Sequence, residues 1–233
     1  MKPKSHLSQC GPCVKSMVYG GMDGIVTTFA VVSGVTGASL SAGVILVLGF
    51  ANLIADGISM ATADYLSSKA EQELTQTERA HQRWHIHHDP EEMRDKLAVI
   101  YAKQGMSKTD SKKIVRLLSK NEKVWADTVL AKKEHMIDET ESPRKMAAVT
   151  FGSFVLFGFV PLFAYVISKV LAVEFNTFVV SSVLAGLTLF VLGTVKARIT
   201  GMYWFKSGMQ TLLVGGLAAA AAYFVGYGLA WLV

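Results

Sequence analysis

The charged residues of this chain are concentrated in about one third of its length, and this uneven distribution restricts the possible folds more than any other feature. Lys and Arg number 23 and Asp and Glu 18, and 30 of these 41 lie between Ser67 and Met146. The remaining 153 residues carry only 11 charged side chains. A soluble domain would need more polar surface to cover so many apolar residues, whereas a lipid bilayer accepts them. The distribution predicts an integral membrane protein with one charged, water-facing insert.

Five apolar stretches are long enough to cross about 30 Å of hydrocarbon, which takes about 20 helical residues. We therefore predict an all-α membrane protein with five transmembrane helices and a cytosolic helical insert between the second and third. The expected organisation is a cytosolic tail over 1–16, two transmembrane helices within 17–66, the insert over 67–146, and three transmembrane helices within 147–233. The apolar stretches are approximately Met17–Gly37, Leu40–Leu66, Ala147–Ser168, Phe175–Val195 and Ser207–Val233.

The basic residues outside the insert indicate the orientation of the chain in the membrane. By the positive-inside rule, the N-terminus and the insert face the cytosol, and the C-terminus faces outward or toward a lumen. The short tails favour a bacterial inner membrane over a vacuolar membrane. The net charge is +5, but the sequence contains no basic stripe with interleaved aromatic residues. Nucleic-acid binding is therefore not predicted. The residues that set the orientation are Lys2, Lys4, Lys15, Lys196, Arg198 and Lys206.

The insert has the local signals of a small helical domain. Because no glycine or proline separates Gly57 from Pro90, the second transmembrane helix is predicted to continue to about His88. Asp89 and Pro90 have the pattern of an N-cap and first helical residue, which starts a helix that ends near Gly105.

Two further short helices are predicted after this one. Ser107 with Asp110 resembles a capping box, and Asn121 is in a position to cap a last helix that runs to Met136. Apolar residues at helical spacing would fold the short helices back onto the long one. These residues are Met93, Leu97, Ile100, Ile114, Leu117, Leu118, Trp125 and Val129.

Asp23 lies about six residues inside the first apolar stretch. An ionised carboxylate costs several kcal/mol there unless it faces a cavity or a partner. The alternative is an aspartate that is solvated or caps the helix near its end. A carboxylate that alternately binds a divalent cation and a proton is the minimal chemistry of an antiporter, so we predict that Asp23 lies in a transport pathway.

Asp56, Met60 and Asp64 occur at positions i, i+4 and i+8, so they share one face of the second helix. A thioether is a soft ligand that favours Fe(II) over Mg(II) or Ca(II), although methionine in an apolar helix more often serves packing. Asp64 is near the cytosolic end and could simply be hydrated, whereas Asp56 lies deeper. We predict that Asp56 and Asp64 line the pathway with Asp23, whereas the spacing leaves both packing and ligation open for Met60.

Four of the six histidines are clustered in the insert, where Glu78, His81 and His85 share one helical face at i, i+3 and i+7. Imidazole and carboxylate ligands suit Fe(II), Mn(II) or Zn(II), so we predict metal binding here with Glu71 as a further ligand. The alternative is a solvated amphipathic face.

The N-terminal Cys10-Gly11-Pro12-Cys13 has the spacing of a thioredoxin motif but lacks the preceding strand. It is either a reactive dithiol or part of a flexible tail, with His6 as an accessory soft-metal ligand. No nucleotide loop, serine elbow or HExxH motif occurs, so we predict a non-enzyme without a permanently bound cofactor.

Two segments carry a resemblance to a known family: YGGMDGIVTTFAVVSGVTG (Tyr19–Gly37) and ANLIADGISMATADYLSSKAEQEL (Ala51–Leu74). They resemble the vacuolar iron transporter family, whose members export cytosolic Fe(II) or Mn(II). The resemblance implies a homodimer with an ion path between subunits, proton antiport, and a cytosolic domain that gathers metal through carboxylates. It assigns Asp23 and Met60 to the transport path.

The insert departs from the pattern of that family. Plant members place glutamates where this chain has Gln82, His85, Met93 and Lys96, and of the family's insert glutamates only Glu134 persists. Metal binding by the insert would therefore depend on histidines and other carboxylates, or would be lost. A membrane-anchored metal sensor or store, or a membrane thiol oxidoreductase that uses Cys10 and Cys13, are the alternatives to a proton-coupled exporter.

The first transmembrane stretch also contains glycines at 20, 21, 24, 34 and 37, including the small-residue pair Gly20 and Gly24. Such pairs permit close helix contact and a dimer seam, although glycines also line cavities.

Overall fold

The computed structural model describes residues 11–133 and 142–232, and this part of the chain is helical throughout apart from short turns and loops. These residues form two compact units, 11–66 with 142–232, and 67–133. The helices are α1 (Gly11–Gly37), α2 (Ala42–His88), α3 (Pro90–Lys103), α4 (Lys108–Leu118), α5 (Glu122–Lys133), α6 (Pro143–Leu171), α7 (Thr177–Thr200) and α8 (Trp204–Leu229), followed by a 3-10 turn (Ala230–Leu232).

Five of these helices, α1, α2, α6, α7 and α8, are long and apolar enough to cross a membrane. They correspond to the five stretches predicted from the sequence, so the prediction of an all-α chain with five spanning helices is confirmed. The 47-residue α2 ends at His88, as the absence of glycine and proline predicted.

The first unit is built around α1, which packs against α6, α7 and α8. Its core contains the fully buried side chains of Val32, Leu53, Phe154 and Leu162. Apolar side chains on α2, α7 and α8 remain exposed, as lipid-facing helices require.

The glycines of α1 serve contacts within this unit. A Cβ atom at Gly20 would lie 2.6 Å from Ser153 Oγ, and one at Gly24 would meet the carbonyl oxygen of Phe154. A Cβ atom at Gly37 would likewise meet a backbone oxygen of α8. The close helix contact that the pair Gly20 and Gly24 permits is therefore made with α6 of the same chain.

The second unit has its own apolar core, in which Ile86 of α2 packs with residues of α3, α4 and α5. Leu117 was predicted to join this core but is 64% exposed, whereas its neighbour Val115 is 2% exposed. On α4 the buried face passes through Ser111, Val115 and Leu118, which excludes Leu117. The other buried members are Met93, Leu97, Ala98, Trp125, Ala126 and Val129.

The predicted helix starts of this unit are confirmed. Asp89 is the N-cap of α3, with Pro90 next to it, although its side chain makes no capping hydrogen bond. Ser107 Oγ accepts a hydrogen bond from Asp110 N at 3.1 Å, and Asn121 Oδ1 accepts one from Val124 N at 3.1 Å. These bonds satisfy helix N–H groups that have no partner within the helix.

Candidate metal path and histidine pair

Asp23 lies on α1 with its side chain exposed at the surface of the protomer. The hydroxyl of Thr27 donates to the Asp23 carbonyl oxygen at 2.9 Å, which is a contact within the helix that leaves the carboxylate unused. The charged side chain that interacts electrostatically with Asp23 is Asp56 of α2. Two carboxylates from different helices of the apolar unit are thus within electrostatic range of each other.

The α2 face predicted from the sequence is half-buried along its length at Asp56, Met60 and Asp64, whereas Ile54 and Ile58 are exposed. The Met60 side chain packs against the apolar cluster of the first unit. Met60 therefore has the packing role that was one of its two interpretations. This packing is compatible with a Met60 sulfur that also borders an ion path.

Asp64 connects three helices. Its Oδ2 accepts a hydrogen bond from Ser16 Oγ of α1 at 3.2 Å and a second, short hydrogen bond from Thr150 Oγ1 of α6. Ser16 and Thr150 are both buried. The simple hydrated carboxylate that was one sequence interpretation does not describe this arrangement, and the sequence analysis missed both hydroxyl partners. The sequence signal for these two partners was a hydroxyl side chain in an otherwise apolar helix.

We predict that Asp64→Ala lowers the free energy of unfolding by about 1–2 kcal/mol, because two interhelical hydrogen bonds are lost and two buried hydroxyls keep no partner. Thermal unfolding in detergent would measure this as a lower midpoint temperature. Thr150→Val should cost less, and the double variant should cost less than the sum of the two, since the residues share one interaction. Wild-type midpoints in both single variants would instead support a hydrated carboxylate.

Three further polar atoms in the spanning helices are buried without a hydrogen-bond partner among the described residues: Thr28 Oγ1, Ser33 Oγ and Asn52 Nδ2. Unpartnered polar groups in an apolar interior are costly, so they mark positions where water or an ion would gain contacts. The sequence analysis did not select them, because Ser, Thr and Asn are common in transmembrane helices.

In the second unit, the histidine pair His81 and His85 forms the clearest arrangement of metal-ligating atoms. Their Nε2 atoms are 3.2 Å apart, and both residues lie on consecutive turns of α2. Two ring nitrogens bound to one divalent ion at about 2.1 Å each would be about 3.0–3.4 Å apart. The separation therefore suits two imidazoles on one ion.

Carboxylates surround this pair without forming a closed site. Glu78 Oε1 lies 3.6 Å from His81 Nδ1 and also accepts a hydrogen bond from Gln82 Nε2 at 2.6 Å. Asp89 Oδ2 lies 3.9 Å from His85 Nδ1. Both contacts are made by Nδ1, the ring nitrogen that does not face the other histidine. In metal sites a carboxylate at this second ring nitrogen orients the imidazole and selects its tautomer.

The positions at which the family resemblance implied glutamates are used differently here. Gln82 and Met93 are buried, with exposures of 2% and 4%, and Met93 belongs to the apolar core. Lys96 Nζ lies 2.7 Å from Glu92 Oε1, and this hydrogen bond and the lysine charge lower the pKa of Glu92. Of the four positions, only His85 presents a ligand-type side chain.

No group of three or more His, Cys, Asp or Glu side chains that could hold a metal occurs within residues 11–133 and 142–232. Glu71 is exposed on α2 and lies outside the histidine pair. Glu134, Cys10 and His6 lie outside the described residues. Cys13 is half-buried in α1, with its Sγ 4.0 Å from Met146 Sδ.

Comparison with known proteins identifies the family. Residues 14–227 match the VIT family. The chain belongs to the VIT family. A vacuolar iron transporter of Toxoplasma gondii is 34% identical over 231 residues, which cover 96% of this chain and 76% of that protein. A vacuolar iron transporter of Centaurea cyanus is 32% identical, over 97% and 92% of the two chains, and vacuolar iron transporter 1 of Arabidopsis thaliana is 29% identical, over 91% and 84%.

VIT-family membership confirms the resemblance that the Tyr19–Gly37 and Ala51–Leu74 segments indicated. The match begins in α1 and extends into α8, so it includes all five apolar helices. Together with their length and composition, it identifies the chain as an integral membrane protein.

Proposed function

We propose that this protein is a proton-coupled transporter that exports Fe(II), and also Mn(II), from the cytosol. The observation that carries the proposal is the pair of carboxylates Asp23 and Asp56, which lie on two different apolar helices and within electrostatic range of each other. Relatives that match most of its length are named vacuolar iron transporters. The metal ion is cargo in this proposal, so neither an enzymatic step nor a resident cofactor is required.

The chemistry of the carboxylate pair accounts for exchange of metal and protons. Two nearby carboxylates repel each other, and either a divalent cation or a proton relieves the repulsion. Protons and metal therefore compete for the pair, which is the condition for antiport. The sulfur of Met60, one turn further along α2 from Asp56, would favour Fe(II) over the harder Mg(II) and Ca(II).

A homodimer is part of the proposal because Asp23 is exposed on the single protomer. An exposed carboxylate would contact lipid hydrocarbon, at a cost of several kcal/mol, unless another surface or a water-filled path covers it. A second copy of the chain that contributes its own Asp23 would provide such a path.

The orientation follows from the positive-inside rule, with the N-terminus and the second unit in the cytosol. In this position the histidine pair would collect metal from the cytosol before transport. The relatives named above are eukaryotic, so the bacterial inner membrane stays a prediction without support from them.

Proteoliposomes that contain the purified protein and a pH dye test the proposal. With an interior of pH 5.5 and an exterior of pH 7.5, we expect external Fe(II) to enter several-fold faster than without the gradient. Each entry should release protons, so the interior pH should rise when Fe(II) is added. Fe(II) entry at equal rates with and without the gradient, and with no pH change, would contradict proton coupling.

The same vesicles distinguish the alternative functions. Parallel measurements with Mn(II), Co(II) and Zn(II) would give the metal preference. A sensor or store would bind metal without any flux. A thiol oxidoreductase would lose its activity, and an exporter would keep its flux, when Cys10 and Cys13 are both replaced by serine.

A further inference from the structure

The junction between α7 and α8 contains basic side chains that form no ion pair with any residue that the structure describes. After Glu174 the sequence has no Asp or Glu up to its last residue, yet Lys196, Arg198 and Lys206 lie within eleven residues of one another. Among the described residues no ion pair reaches Arg198, and its side chain is exposed. A cation without a protein counter-ion at the end of an apolar helix is available to an external anion.

A cleft of about 430 Å³ lies at this junction, and Arg198 lines it. Gly201, with φ of +71°, ends α7 in the left-handed conformation and reverses the chain into α8 within a few residues. The reversal places the residues that follow it beside the last turn of α7. The remaining lining residues are Thr194, Met202, Tyr203 and Trp204.

The walls of this cleft are aromatic and exposed. Tyr203 is 66% exposed and Trp204 52% exposed, although both have large apolar rings. Trp204 is held by ring contacts with Phe190 and Phe205, at centroid distances of 6.3 and 5.7 Å. Tyrosine and tryptophan prefer the headgroup level of a membrane, where the ring contacts acyl chains and the polar atom contacts headgroups.

The cleft lies where a lipid headgroup would be found. Two spanning helices end and begin on either side of it, since the apolar segments are Thr177–Arg198 and Trp204–Leu232. Basic pockets between spanning helices bind acidic lipid headgroups, because the guanidinium pairs with phosphate while the acyl chains follow the helices.

We propose that this cleft is a binding site for an anionic phospholipid, with Arg198 bound to the headgroup phosphate and Tyr203 and Trp204 against the glycerol and upper acyl chains. The lipid is favoured over a soluble phosphate because the exposed aromatic walls would remain in contact with water if only an ion were bound. The proposal does not depend on metal transport.

Native mass spectrometry of the full chain in detergent tests the site, with dioleoylphosphatidylglycerol as the anionic probe and dioleoylphosphatidylcholine as the neutral one. We expect wild-type protein to bind phosphatidylglycerol about fivefold more tightly than phosphatidylcholine, as one basic residue near anionic lipid predicts. Arg198→Gln should remove this preference. Lys169→Gln, at an exposed position in the last turn of α6 that does not line the cleft, should retain it.

Three results would overturn the proposal. Equal binding of the two lipids by wild-type protein would show that no anionic headgroup is selected. If both Arg198→Gln and Tyr203→Ala keep the wild-type preference for phosphatidylglycerol, the lipid binds elsewhere. Displacement of phosphatidylglycerol by equimolar glycerol 3-phosphate would show a site for a soluble phosphate ester instead.

Discussion

Asp23→Asn is expected to lower Fe(II) flux into proteoliposomes by about 10- to 150-fold, which corresponds to loss of one charged contact of about 1.5–3 kcal/mol. The substitution keeps the size and shape of the side chain but removes the charge that exchanges metal for a proton. The exposed carboxylate has no hydrogen-bond partner among the described residues, so its loss should leave the fold intact. Size-exclusion chromatography and thermal unfolding would verify that the variant remains folded.

Asp23→Glu keeps the charge and should keep part of the flux. Asp95→Asn is the matched control, because Asp95 is an exposed carboxylate of α3 without an ion pair to a described residue. It should transport like wild-type protein. Transport at the wild-type rate in Asp23→Asn would remove Asp23 from the pathway.

Substitution of Asp56 tests whether the two carboxylates act together. If Asp23 and Asp56 hold the cargo together, Asp56→Asn should also reduce flux, and the double variant should be hardly worse than Asp23→Asn alone. Independent additive losses would mean that the two carboxylates act at separate points along the path.

The histidine pair should make metal binding strongly dependent on pH. A protonated imidazole cannot ligate, so the affinity for Mn(II) should be lower at pH 5.5 than at pH 7.5 if two histidines bind the ion. The measurement is calorimetry on the full chain in detergent, with Asp23→Asn as the background so that the proposed path contributes little. His81→Ala/His85→Ala should lower the affinity at pH 7.5 by at least about tenfold.

His87→Ala is the control for this pair, because His87 is exposed and its Nε2 lies 3.3 Å from Glu122 Oε2 of α5. Its removal should leave the affinity unchanged. A carboxylate site would keep most of its affinity to about pH 5. Unchanged affinity in the double variant would refute ligation by the pair, and absence of any binding would make the second unit a structural domain.

The sequence determined the helices of this protein almost completely. Span length depends on runs of apolar residues, and the continuation of α2 to His88 depends on the absence of glycine and proline. The helix starts at Ser107 and Asn121 depend on side chains that accept hydrogen bonds from the first N–H groups of the helix. The start at Asp89 depends on the proline that follows it. All of these signals act within one or two helical turns, so they can be read along the chain. The family resemblance was equally visible in two uninterrupted segments.

Only the tertiary structure decided which side chains of different helices meet. The spacing of Asp56, Met60 and Asp64 predicted a shared face, but the rotation of each helix about its own axis is set by packing against neighbours. That rotation places Asp56 within electrostatic range of Asp23, and it brings Asp64 to the hydroxyls of α1 and α6.

The same physical reason applies to the glycine pair of α1 and to Leu117 of α4. Gly20 and Gly24 predicted close helix contact correctly, but the partner is α6 of the same protomer, because a small-residue pair specifies distance and not identity. Leu117 has the spacing of a core residue, yet a rotation of α4 by one position buries Val115 and exposes Leu117. Local sequence determines where a helix begins and ends, and contacts between helices determine which of its side chains are buried.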